Sequence, residues 1–151
     1  YMSIRLVVQN IDKIRSIPSK KQFEAWIEKA LAPRKKEYEI TIRVVGVKEI
    51  TKLNKQYRNI NKPTNIISFN FYPPVNIKTN ILGDLVICAP IVKVEAKLQH
   101  KAVLSHWAHL TVHGVLHLLD YDHQNDDAAQ KMEQLEIKIL KKIGIANPYN
   151  S

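Results

Sequence analysis

The chain has 151 residues and a mass of 17.4 kDa, room for one hydrophobic core and too little for two independent ones. Its 45% hydrophobic and 25% charged residues exclude a disordered chain, and no run approaches the roughly 18 apolar residues of a membrane-spanning helix. Twenty-three Lys and Arg against 14 Asp and Glu leave a formal charge of +9, which favours a polyanionic partner, nucleic acid first among them.

Residues 4–8 alternate Ile4, Leu6 and Val8 with Arg5 and Val7, a half-buried strand. Ser19 with Gln22 three residues on forms a capping box. Behind it Phe23, Ile27, Ala30 and Leu31 make one helical stripe with Trp26 at its edge, closed by Pro33 and a basic turn at Arg34, Lys35 and Lys36. Residues 40–45 alternate again, a second strand, and residues 48–58 carry Ile50, Leu53 and Tyr57 at helical spacing, with Lys48, Lys52, Lys55 and Arg58 off that stripe. A polar turn over 61–65 leads to a third strand from Ile66 to Phe71, which Pro73 and Pro74 end. Residues 81–88 form a fourth strand, interrupted at Gly83 and Asp84. Residues 91–119 are the longest helical stretch. A final helix over about 127–143 buries Ala128, Met132, Leu135, Ile139 and Ile143, with Gly144 as its cap.

This order predicts a single α+β domain: a mixed four-stranded sheet covered by helices, with a long central helix. Charge is unevenly spread, with 14 basic and 6 acidic residues in 1–60 and the sign reversed in 120–151, so the front half is where a polyanion is expected to bind. One cysteine, Cys88, forms no internal disulfide, and the first residues lack a basic-then-apolar leader. Both readings point to the cytoplasm. Tyr1 ahead of Met2 reads as an appended residue.

His113, His117 and His123 follow the pattern H-x3-H-x5-H. The i, i+4 spacing stacks His113 and His117 on one helical face, where both can reach an ion about 2.0–2.1 Å from each nitrogen. His123 must return from beyond the helix end, and residues 119–122 provide the turn. Three neutral imidazoles with an open fourth position are the arrangement of a catalytic zinc. His109, one turn before His113, is a candidate to support a ligand from behind, and Asp84, a carboxylate on a strand, is a candidate either to orient a ligand or to pair with Arg58. Zinc proteases carry Glu directly after the first histidine of such a pair; here that position is Gly114, which weakens a peptidase reading.

The run from His113 to His123 resembles the signature of the YbeY family of metal-dependent endoribonucleases that mature bacterial ribosomal RNA. The segment Leu53 to Arg58, then Lys62-Pro63-Thr64 with Ser68-Phe69, resembles its second block, and Leu82 to Ile87 its third, in the family's order over residues 40–149. The family pattern has Gly at the position of Asp120 and Asp at that of Asn65. The resemblance implies a zinc ion on His113, His117 and His123, with Arg58 as the basic residue of the catalytic cleft. The guanidinium suits that role, since it can grip a phosphate in two places and stabilise the charge of a pentacoordinate transition state.

The expected function is therefore a zinc-dependent, single-strand-specific endoribonuclease in ribosomal RNA processing, at the 3′ end of 16S rRNA, and in ribosome quality control. Lys35, Lys36, Lys48, Lys52 and Lys55 are candidates for contacts with the RNA backbone, and ribosomal small-subunit proteins are the implied partners. A non-catalytic RNA-binding assembly factor with a structural metal is the alternative that charge and motif fit equally.

Overall fold

The computed structural model describes residues 4–32, 34, 36–75, 77, 79–119 and 125–149. Four strands, β1 (Ile4–Gln9), β2 (Tyr38–Val45), β3 (Ile66–Asn70) and β4 (Ile81–Cys88), form one mixed sheet in the order β1-β2-β4-β3. β1 and β4 run parallel to β2, while β3 is the antiparallel edge strand. Five helices accompany the sheet: α1 (Lys20–Leu31), α2 (Val47–Arg58), α3 (Ala89–Leu98), α4 (Val103–Leu118) and α5 (Asp126–Lys142). None of the described helices is long and apolar enough to cross a membrane.

Strand alternation divides the interior in two. Ile40, Ile42, Val44, Leu85 and Ile87 face the larger core, where they meet Phe23, Ile27 and Leu31 of α1, Leu116 of α4 and Met132 of α5. Val45, Ile67, Val86 and Cys88 face a smaller core closed by Ile50 and Leu53 of α2. The sheet is thus sandwiched between helices.

The Ser19–Gln22 capping box is present, with Gln22 donating its backbone N–H to Ser19 and returning its side-chain oxygen to the Ser19 N–H. Phe23, Trp26, Ile27, Ala30 and Leu31 are the buried stripe of α1, as their spacing predicts. α5 ends in paired bonds, Gly144 N–H to Lys141 O and Ile145 N–H to Leu140 O, with Gly144 at φ +79°.

Two features differ from expectation. The stretch 91–119 is two helices, because Gln99 to Ala102 leave helical geometry and α4 restarts at Val103. The fourth strand is continuous, but between Ile81 and Gly83 its register against β2 shifts by one residue. Leu82 is the extra residue of this bulge. It packs on the larger core, away from the face that Val86 and Cys88 share.

The two glycines near the site allow close approach. A Cβ on Gly83, at φ +153°, would lie 2.2 Å from the Phe69 carbonyl oxygen. One on Gly114 would lie 2.7 Å from Leu85 Cδ2 and 2.8 Å from Ile66 Cδ1. α4 therefore lies tight on β3 and β4 at Gly114, and this packing is a physical reason why the position carries no glutamate.

Candidate metal centre

His113 and His117 project from the last two turns of α4 into a cleft of about 560 Å³ at the β3 edge of the sheet. The opposite wall is the end of α2, with Tyr57 and Arg58, and the segment from Thr64 to Asn70. Several bonds hold these walls. Asn59 ends α2 in a left-handed conformation, at φ 58° and ψ 32°. The buried Asn54 donates from Nδ2 to Lys62 O at 2.8 Å, pinning the turn that follows. Asn70 donates from Nδ2 to Leu118 O at 3.0 Å, which satisfies a carbonyl at the end of α4.

The Nε2 atoms of His113 and His117 are 3.0 Å apart. Two imidazole nitrogens on one tetrahedral ion, each about 2.0–2.1 Å from it, stand roughly 3.3 Å apart, so the pair is close to the spacing that a shared cation requires. Behind it, His113 Nδ1 donates to Glu136 Oε1. That bond places the proton on Nδ1 and leaves the Nε2 lone pair for an electrophile, the carboxylate–histidine arrangement that orients metal ligands.

Glu136 is fully buried on α5 and gathers two further donors, His109 Nε2 at 3.2 Å and the Tyr149 hydroxyl. Burial raises its carboxyl, yet the bonds from His109, His113 and Tyr149 outweigh that effect and hold it at about 2. The tyrosine is pushed above its usual range by burial and by Glu136. Ligand atoms of His109, His113 and Glu136 all lie within 4.8 Å of one another, so this group could hold a metal ion. The Glu136 oxygens accept three hydrogen bonds, and His113 and His117 both line the cleft.

His109 thus sits behind His113 through the shared Glu136. Arg58 is exposed at the end of α2 and lines the cleft with both histidines. His123, like Lys35, lies outside the described residues. Asp84 pairs in register with Phe69 and Thr41. Burial raises its carboxyl, and the charge of Arg43 on β2, which itself bridges to Glu49 at 3.4 Å, acts in the opposite direction. Lys52 and Lys55 are exposed on α2 with Arg58. Lys48 is exposed at the far end of that helix, about 15 Å along its axis. Lys36 is exposed beside β2, with Nζ 5.6 Å from the Tyr38 ring centre.

Sequence reasoning missed Glu136 and Tyr149. The signal for Glu136 was an acid on the same helical face as Met132 and Leu140, a place where a carboxylate needs partners. It also missed the aromatic rim of the cleft, where Tyr57 is 60% and Tyr72 75% exposed, and Tyr57 meets Phe69 edge-on with ring centres 5.0 Å apart.

The fold and site define an α+β protein with paired histidines, braced by a buried carboxylate, beside an arginine in an open cleft. The chain belongs to the YbeY family: the family described as Endoribonuclease YbeY matches residues 7–144. Over 137 residues it is 50% identical to the Endoribonuclease YbeY of Colwellia psychrerythraea, covering 88% of each chain. The solution structure of TM1509 from Thermotoga maritima shares its fold, with a TM-score of 0.57 at 20% identity over 98% of this chain and 96% of that one.

Proposed function

We propose that this chain is a zinc-dependent endoribonuclease of the cytoplasm that cuts single-stranded RNA. We propose ribosomal RNA as the substrate, at the 3′ end of the 16S species, with a role in ribosome quality control alongside small-subunit proteins. The observation that carries the catalytic reading is the convergence of His113 and His117 Nε2, 3.0 Å apart, on the cleft that Arg58 lines. Membership of the YbeY family and the +9 charge support RNA as the polymer.

In this reading His113, His117 and His123 hold the metal, and Glu136, with His109 behind it, keeps the His113 ring in the binding tautomer. Zinc, when bound, supplies a Lewis acid for the phosphoryl group. Arg58 grips the phosphate and takes up charge as it develops in the transition state. Tyr57 and Tyr72 offer faces on which unpaired bases stack, which a duplex cannot use. The exposed Lys52 and Lys55 extend the positive charge along α2.

The test is cleavage of a single-stranded RNA by metal-stripped protein, before and after zinc is restored, with a duplex of the same sequence as control. Activity is expected to return with zinc, spare the duplex, and fall at least about 100-fold in both His117→Ala and Arg58→Ala. Equal cleavage in every sample would refute the assignment. RNA binding without cleavage would favour the assembly factor.

A further inference from the structure

Asn65 lines the same cleft as Arg58, His113 and His117. Its backbone carbonyl accepts from Cys88 N–H at 2.9 Å, which anchors the residue to the end of β4. Its side chain donates from Nδ2 to both oxygens of Glu95 on α3, at 3.0 and 3.4 Å. Glu95 in turn takes a bond of 2.9 Å from His106 Nε2 on α4. His106 is 3% exposed, and burial lowers its basicity, so the ring is neutral with its proton directed at the carboxylate. An ionised carboxylate only accepts hydrogen bonds, so it admits one orientation of the Asn65 amide. With Nδ2 committed to Glu95, Oδ1 is the polar atom left for a ligand.

We propose that Glu95, braced by His106, is a positioning residue that locks the Asn65 amide and makes its Oδ1 a hydrogen-bond acceptor for RNA in the cleft. The inference rests on the reading that RNA occupies this cleft. It divides the recognition chemistry. Arg58 takes the anionic phosphate, and Asn65 takes a donor, which in RNA means a 2′-hydroxyl or a base N–H.

The test is a double-mutant cycle of Asn65→Asp, Glu95→Gln and the pair, assayed on the zinc-loaded protein with one end-labelled single-stranded RNA. Asn65→Asp sets two carboxylates against each other and is expected to lower kcat/KM about tenfold, chiefly through KM. Glu95→Gln frees the amide to turn and is expected to lower it a few-fold. The pair restores a donor facing an acceptor, and its kcat/KM is expected to return to within a few-fold of wild type. A simple charge effect predicts the opposite sign for Glu95→Gln, since that change makes the protein more basic. Single variants at wild-type kcat/KM, losses that add in the pair, or lowered thermal midpoints with unchanged kinetics would each overturn the proposal. Wild-type protein that cleaves no faster than His117→Ala would refute the nuclease reading instead. The same cycle is then read as the Kd for that RNA by fluorescence anisotropy, with the same pattern of loss and recovery expected and the same failures overturning the proposal.

Discussion

Glu136→Gln removes one charge from the centre of the network and almost no volume. The wild-type carboxylate is fully buried and accepts from His109, His113 and Tyr149, which lower it from 4.5 to about 2 against the effect of burial. At about 1.4 kcal/mol per pH unit that difference is worth about 3 kcal/mol of folding stability. Because the folded-state value is depressed, the contribution is complete above about pH 4.5 and is lost as the pH falls from there towards 2. The amide keeps one accepting oxygen but turns an NH2 group towards donors. Urea unfolding of the chelator-treated protein at pH 7 is therefore expected to show a loss of about 3 kcal/mol, and the decline between pH 4.5 and 2 is expected to flatten. Tyr149→Phe, which deletes one donor, is expected to cost about 1 kcal/mol in the same assay. Zinc affinity of Glu136→Gln is expected to fall 10–100-fold, as when the partner of a ligating histidine is removed. A variant within about 0.5 kcal/mol of wild type with an unchanged acid profile would refute the reasoning.

Gly83→Ala forces a Cβ to 2.2 Å from the Phe69 backbone oxygen, which no rotamer relieves, so thermal unfolding is expected to show a loss of at least about 3 kcal/mol. Gly46→Ala, where nothing lies within 4 Å, is expected to change stability by less than about 1 kcal/mol. Burial lowers the His106 pKa, with His109 and Lys101 acting the same way and Glu95 opposing them. The unfolded chain then binds the extra proton, so stability is complete above about pH 6.5 and falls as the pH drops through that value. Urea midpoints of metal-free protein at pH 7.5 and 5.5 are expected to differ less in His106→Gln than in wild type; equal differences would contradict this.

Local pattern was enough to read much of this protein. Alternation at Ile40, Ile42 and Val44, and the stripe of Phe23, Ile27 and Leu31 behind a capping box, mark elements whose periods follow from backbone geometry alone. The i, i+4 spacing of His113 and His117 likewise implies one helical face, because a helix makes those residues neighbours wherever it packs. Tertiary structure decided what lies opposite that face. Glu136 reaches His113 across 23 positions of sequence, Tyr149 joins it from the segment after α5, and Asn65 meets Glu95 across 30. Local propensity carries no information about such contacts, since they arise where packed helices and a sheet edge converge. The bulge at Leu82 and the tight approach at Gly114 have the same origin: each depends on the strand or helix alongside, which the order of residues names but does not place.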